Sequence, residues 1–453
     1  MKRLMKMLAA VSAIGMAFCG KAATTTYTTE IDGSTWSYTL SVAGDMTTNA
    51  TITAVTPADG ALIVPAVVDG YRVQEIANNV GSGCNNVTSL SVPDSVRTIG
   101  RGAFSNCGSL GEVSLGAGLT AINGDDGTHN DSYVPDNGAF SFCVSLTNVT
   151  FGASLKTIGG YAFYKCTSLA SVSIPNSVTT IGRQVFQGCT KMTSATFGNG
   201  LTSVGYCAFV SCTGLKTVAF ADGGTGRLSF GEDSFTGCSG LEAVKLPGNL
   251  TSFGVNAFSS CSSLKALSVP DSVRTISKGA FSYCTSLGEV SLGSGLTAIN
   301  GDDGSHNDSY VPDNGAFSFC ASLTNVTFCA SLKTIGGYAF YKCTSLASVS
   351  IPNSVTTIGR QVFQGCTKMT SATFGNGLTS IGYCAFVSCT GLKTATFSDG
   401  GTAPLAFGEG VFSSCTSLAT VHLPDYLVGI GSNSFANCPA LGELEMPDSV
   451  LDK

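Results

Sequence analysis

Three kinds of side chain in this sequence could do chemistry: cysteines in a regular series, aspartates crowded into a short stretch that occurs twice, and three histidines. The cysteines stand at Cys84, Cys107, Cys143, Cys166, Cys189, Cys212, Cys238, Cys261, Cys284, Cys320, Cys343, Cys366, Cys389, Cys415 and Cys438, and all but Cys84 follow a Phe three residues earlier. Thiols at a fixed interval invite a disulfide or metal reading. Zinc needs ligands that converge from several directions, with C-x₂₋₄-C or His spacing, and the series offers neither. If successive cysteines stack, their Cα atoms fall about 5 Å apart, within bridging range, but side chains stacked in one column point the same way and suit the bridge dihedral poorly. The expectation is a ladder of buried thiols acting as small hydrophobes. Cys207 and Cys384, each five residues before a column cysteine, and the unpaired Cys329 are the better candidates for exposed or reactive thiols.

The crowded stretch is NGDDGTHNDSYVPDN, Asn123 to Asn137, copied at Asn300 to Asn314. It carries Asp125, Asp126, Asp131 and Asp136, and its copy Asp302, Asp303, Asp308 and Asp313. Oxygen ligands this dense could hold Ca²⁺, which takes six to eight oxygens, yet the spacing fits neither an EF-hand nor a nonapeptide calcium repeat, so a solvated loop is the plainer reading. No other cofactor is called for. His129, Tyr133, His306 and Tyr310 project from the same stretches and are candidate binding residues, since loops on rigid scaffolds are where contacts concentrate. Catalysis finds no support: two of the histidines are copies of each other, His422 lies in an expected strand, and no nucleophile elbow, phosphate-cradling loop or H-E-x-x-H occurs. The chain reads as a non-enzyme.

The elements that position these residues follow from the period. The cysteine interval is usually 23 residues, a spacing that marks a solenoid. The exceptional gaps recur at an offset of 177 residues, and Ser91 to Cys143 reappears almost unchanged as Ser268 to Cys320, so the chain is duplicated, about 84–260 and 261–437. One coil, Leu169 to Cys189, supplies a short strand from Leu169, Val172 and Ile174, ended by Pro175. Val178 and Ile181 point inward from a second extended segment, Gly182 permits a bend, and Val185, Phe186 and Cys189 close the coil through an expected short helical or 3₁₀ turn. About fifteen such coils predict a β-dominated, parallel-stranded rod or shallow arc on the order of 70 Å long. The 13-residue inserts fall at a surface bend, between Ile122 and Phe140 and between Ile299 and Phe317. Thr157, Thr180, Ser203, Thr334, Thr357 and Ser380 are expected to form one column, explained by β propensity on a solvated face, with glycan or ice docking as the alternative. Residues 24–61 read as an N-terminal β cap over the first edge strand, 62–450 as the solenoid and 451–453 as its end, with no visible cap there.

Residues 1–23 have the order of a secretory signal: basic Lys2, Arg3 and Lys6, an apolar stretch too short to span a membrane, then small residues before a cleavage point near Ala22. Lipid attachment at Cys19 is the alternative, disfavoured by the bulky Phe18. Cleavage removes Lys2, Arg3, Lys6 and Lys21 and shifts the net charge from −6 to about −10, which argues against nucleic acid or anionic lipid as partner. No second apolar segment of spanning length follows. Only 11% of residues are charged, so the exposed faces are mostly uncharged and polar.

The pattern LxxVxIPxSVxxIGxxAFxxC, as in Leu346 to Cys366, resembles the BspA-like leucine-rich repeat family over roughly residues 62–450. The resemblance implies a leucine-rich repeat solenoid of the α/β class on the surface of bacteria or mucosal protists. It also implies adhesion to host matrix proteins or to other microbes, and it transfers no binding residue. The functional expectation is an exported or cell-surface recognition protein, an adhesin gripping extracellular protein or glycan through many weak contacts. A self-assembling structural protein, adding strands at its C-terminal edge, and a carbohydrate-binding module are the alternatives.

Overall fold

The computed structural model describes residues 25–124, 138–301 and 315–451. The chain forms two compact units, Met1–Leu201 and Thr202–Lys453, and each is a parallel β-solenoid built from the 23-residue coil.

In the first unit the solenoid begins beneath an antiparallel meander of β1 (Thr26–Ile31), β2 (Ser34–Val42) and β3 (Thr48–Thr56). Inward alternation buries Trp36, Tyr38, Ala50 and Ile52, and the Tyr38 hydroxyl donates to Asp69 at 2.6 Å. β3 then pairs in parallel with β6 (Tyr71–Ile76), after β4 (Gly60–Ile63) and β5 (Val67–Val68), so an antiparallel edge is converted into the parallel ladder of the coils. From β6 one side of the coil runs through Thr98–Ile99, Ala121–Ile122, Thr157–Ile158 and Thr180–Ile181, each paired in parallel with the next. The broader side runs from β4 through Val87–Val92, Glu112–Leu115 and Asn148–Thr150, and then as a pair Ser171–Ile174 with Ser194–Phe197. The second unit repeats both sides, from Ser203–Val204 to Leu427–Gly429 and from Thr217–Phe220 to Thr420–His422.

Period-2 alternation decides what the broad side buries. In Ser171–Ile174 the Val172 and Ile174 side chains go inward and the two serines outward. Pro175, which has no N–H to extend the ladder, ends the strand, and Leu169, Val178, Ile181, Val185, Phe186 and Cys189 complete a fully buried ring of side chains. Each ring lies on its own copy in the next coil. In the first unit Phe104, Phe140, Phe163 and Phe186 stack at centroid distances of 5.9, 5.3 and 5.4 Å with planes within 13°. The second unit carries the same stack from Phe209 through Phe235, Phe258, Phe281 and Phe317 to Phe340, at 4.8 to 5.5 Å.

The third side of the coil differs from expectation. Among the described residues no helical or 3₁₀ turn closes it; a tightly turned segment does, and it forms a ladder of its own. The N–H groups of Tyr161, Phe163 and Lys165 donate to the carbonyls of Arg183, Val185 and Gln187 in the next coil, at 2.8 to 2.9 Å. A helix would spend those donors within the coil, whereas here they join neighbouring coils. Residues one and five positions before the cysteine adopt the left-handed backbone that makes this possible: Asn79 and Gly83, Gly102 and Asn106, Tyr161 and Lys165, Gln184 and Gly188 in the first unit, with Phe142 in the coil of Cys143. For a side chain other than glycine each costs roughly 1 kcal/mol.

Two glycines separate backbone strain from close approach. Gly83 has φ +76° and open space where a Cβ would stand, whereas a Cβ on Gly182 would lie 2.6 Å from the Gly160 nitrogen. Gly83→Ala is expected to cost about 1 kcal/mol. Gly182→Ala, which must push two coils apart, is expected to cost several-fold more. Urea unfolding of the two variants checks the order, and an equal or reversed cost would contradict it.

Candidate functional site

The column cysteines are held at one fixed contact. In the first unit the Sγ of Cys143, Cys166 and Cys189 donates to the carbonyls of Phe104, Phe140 and Phe163, at 3.2 to 3.3 Å. Cys107 makes the same contact with Gly81, whose coil lacks the Phe. In the second unit the series runs through Cys238, Cys261, Cys284, Cys320, Cys343, Cys366, Cys389, Cys415 and Cys438, each bonded to the carbonyl of the Phe one coil back. Cys212 is fully buried in the same column. All cysteines among the described residues are free. A thiol is a small hydrophobe with one weak donor, and here that donor meets a carbonyl oxygen that otherwise accepts only a turn bond. Burial pushes the Cys284 and Cys366 thiols from 9.0 up to about 12, so these two stay protonated at neutral pH, whereas the bond with Cys143 lowers the Cys107 thiol.

The expectation of exposed thiols is corrected for Cys207. It is buried, its backbone φ is +53°, and burial pushes its thiol up to about 11. The half-exposed Tyr206 hydroxyl bonds the sulfur and is itself pushed up to about 12, first by that bond. Cys384 is half-buried and its thiol is raised, first by burial. Cys329, also half-buried, donates to the Leu296 carbonyl at 3.3 Å.

The binding candidates His129, Tyr133, His306 and Tyr310 and the calcium candidates Asp125, Asp126, Asp131, Asp136, Asp302, Asp303, Asp308 and Asp313 lie outside the described residues. Their anchor points are described: in the first unit a polar hollow lined by Asn78, Arg101, Asn123 and Gly124 adjoins the start of the insert. His422 ends a strand and faces Asp399 at 3.3 Å, both half-exposed. The hydroxyl column forms within each unit, Thr157 beside Thr180 and Thr334 beside Thr357 and Ser380. Most of it is half-buried rather than fully exposed.

The broad-side sheets display outward side chains in aligned rows. Outward positions in the first unit align Ser89, Glu112 and Asn148 in one row and Ser91, Ser114 and Thr150 in another, with the half-exposed Ile63 at their edge. A shallow groove runs over them. The second unit repeats the rows as Ala266, Glu289 and Asn325, and Ser268, Ser291 and Thr327. Reading the sequence for motifs missed this site, because no motif marks it; the signal was the outward half of each strand's alternation.

A second constellation was also missed. Lys165 lies over the rings of Phe142 and Tyr164, at 5.7 and 5.4 Å, and Arg183 lies over Tyr161 at 5.2 Å. The second unit repeats it with Lys342 over Phe319 and Tyr341 and Arg360 over Tyr338. No helix among the described residues is long and apolar enough to cross a membrane.

Comparison with known proteins agrees with this architecture. A family model described as the BspA type leucine-rich repeat region matches in six copies, over residues 70–125, 136–226, 224–302, 312–403 and 404–452. A leucine-rich repeat protein of Bacteroides ovatus is 25% identical, with 92% of this chain and 94% of that chain covered and a TM-score of 0.62. A leucine-rich cell surface protein of Faecalibacterium prausnitzii is 26% identical over 93% of this chain and 95% of that chain, with a TM-score of 0.42. The pneumococcal vaccine antigen PcpA is 18% identical over 85% and 95%, with a TM-score of 0.47. No curated protein matches the chain.

The raised thiols give the fold an alkaline limit. A group whose pKa is higher folded than unfolded stabilises fully below the unfolded value and loses that contribution as pH rises through the folded one, here between 9.0 and about 12. Unfolding free energy should therefore fall steeply above about pH 9. In Cys366→Ala, less stable at pH 8, the fall should be shallower by about 1.4 kcal/mol per pH unit. Urea titrations between pH 8 and 10.5 check both; parallel curves would remove the linkage. A thiol reagent at neutral pH is expected to label Cys84, Cys329, Cys384 and Cys438, the half-buried thiols, well before the fully buried members of the column.

Proposed function

This chain belongs to the BspA-type leucine-rich repeat family, and on that premise we propose that it is an exported, non-enzymatic recognition protein, a secreted or cell-surface adhesin. The repeat fold suits protein binding, because each coil adds the same outward surface to the last. The observation that carries the reading is the duplicated sheet face. The Glu112 and Asn148 pair and the Glu289 and Asn325 pair stand in the same register, exposed, on strands whose inward residues are fully committed to the core. A surface built twice, with the same residues in the same rows, is suited to a ligand that is itself repeated or extended. Engaging both copies raises avidity above either site by up to about 10² to 10⁴ when the geometry allows it. The order of residues 1–23 supports export, and the inserts, with His129, Tyr133, His306 and Tyr310, supply a second set of contacts in this proposal. Calcium held by the insert aspartates would make those contacts chelator-sensitive.

The test is binding of the purified mature protein to host matrix proteins, mucins and whole microbial cells. Three changes are compared: Glu112→Ala with Glu289→Ala, deletion of 125–137 with 302–314, and removal of one 177-residue copy. Each deleted insert is 13 residues and restores the 23-residue period, so the fold is expected to survive. Loss of one copy is expected to weaken attachment far more than twofold; a twofold loss would remove the avidity argument. Loss of binding with the carboxylates places contact on the sheet face, and loss with the deletions places it on the inserts. Absence of binding across the panel would favour a structural role instead.

A further inference from the structure

The left-handed backbone sites of the solenoid are mostly filled by residues that tolerate them, Gly, Asn, Ser and Asp. Others hold Gln184, Cys207, Tyr283, Gln361 and Cys384, and three consecutive sites in each duplicate hold large aromatic or basic side chains. In the first unit they hold Phe142, Tyr161 and Lys165, at φ of 59°, 60° and 53°. In the second unit they hold Phe319, Tyr338 and Lys342, at 60°, 58° and 54°. Large side chains in left-handed backbone are strained, and such strain gathers where a side chain is needed for its own sake.

What these side chains build is a charged aromatic edge. The Lys165 ammonium lies over both the Phe142 and Tyr164 rings, which meet edge to face at 5.3 Å. Arg183 lies over Tyr161, to whose hydroxyl it donates at 3.1 Å, and the exposed Lys191 follows one coil on. The second unit reproduces the edge with Lys342 over Phe319 and Tyr341, Arg360 over Tyr338, and exposed Lys368. Charge is segregated to match. Residues 138–201 contain Lys156, Lys165, Arg183 and Lys191 and no Asp or Glu, and residues 315–378 contain Lys333, Lys342, Arg360 and Lys368 and no Asp or Glu, in a chain whose net charge is −6.

We propose that these two edges bind an acidic polysaccharide, one stretch of the polymer at each duplicate, on a surface separate from the sheet face. Cations stacked on rings are partly dehydrated and lose little freedom when they pair with a carboxylate or sulfate. The half-buried rims of Phe142 and Phe319 offer apolar contact to the C–H face of a sugar, which a bare lysine cluster does not. A few cations separated by uncharged hydroxyl and aliphatic surface suit a polymer with about one charge per sugar unit. Duplex nucleic acid carries one charge per about 1.7 Å and is favoured by denser and longer basic tracks. The inference goes beyond the adhesin reading and stands without it.

The full mature chain is measured against immobilised hyaluronan, which presents carboxylates, and heparin, which adds sulfates, with a mixed-sequence DNA duplex alongside. Binding to at least one polysaccharide and not to the DNA is expected. Lys165→Gln or Lys342→Gln alone should weaken it about tenfold, and the pair by about 100-fold or more, as loss of bivalency requires. Lys245→Gln, whose ammonium pairs with Asp222 away from the edge, should change nothing. Lys165→Gly with Lys342→Gly keeps the test independent of folding: relief of backbone strain should raise Tm while binding is lost. The proposal is overturned by retention of DNA as tight as that of the polysaccharides, by binding that survives the double Gln variant, by no binding to either polysaccharide, or by a double Gly variant that melts lower and still binds. Deletion of both inserts should leave this binding intact, which separates it from contacts proposed for the inserts.

Discussion

Successive coils within each unit are joined by backbone hydrogen bonds on all three sides among the described residues, and the rest of the structure is subordinate to that. Two sides are β ladders, and the third is the turned segment whose N–H groups reach the next coil's carbonyls. Because no coil can satisfy its own backbone, each position must lie on the same position one period away, and the side chains inherit the registration. Phe rings stack within 8° of parallel from Phe235 to Phe281 because their Cα atoms are already fixed in line by the backbone, not because the rings chose each other. The same constraint explains why the inserts enter between Ile122 and Phe140 and between Ile299 and Phe317. That corner lies between two ladders, so extra chain breaks neither.

The thiol column is a consequence of the same geometry. The carbonyl of each Phe on the turned side accepts one bond from within its own coil and faces the next coil's cysteine. Alanine would leave that lone pair without a partner, and a β-branched side chain would add volume where the Phe stack leaves none. Serine could donate, but its hydroxyl is costlier to bury than a thiol. Cysteine fills the position with a small apolar atom that still donates weakly, and chemical inertness follows from burial rather than from any special neighbour.

Period, strand ends and core columns were legible in the sequence because they are properties of alternation and of Pro, Gly and Phe at fixed offsets. Leu169, Val172, Ile174, Val178, Ile181, Phe186 and Cys189 are all buried, as their pattern requires. The turned side was not legible. A run such as Arg183 to Gly188 carries no signal that its N–H groups point to another coil, and Gln184 is not a residue that announces a left-handed backbone, at φ 55°. Cys207 was misjudged for the same reason: its offset from the column was visible, but the direction its side chain takes depends on a backbone angle that composition does not encode. The basic aromatic edges were invisible because Lys165 and Tyr161 become neighbours of Phe142 and Arg183 only through stacking across coils.

Cohesion and recognition are thereby assigned to different atoms. The backbone and the inward side chains hold neighbouring coils together, so outward side chains on the broad sheets contribute little to stability and are free to vary or to be copied unchanged. Strain falls on the remaining face. A left-handed site tolerates glycine at least cost, and where it holds a Phe, Tyr or Lys the fold gives up stability at that position. The ladder can absorb this because Tyr161 and Lys165 still donate their N–H groups to the next coil at full strength, at 2.9 and 2.8 Å. A solenoid of this kind can therefore carry demanding side chains on its turned side, provided that their backbone amides remain in the ladder.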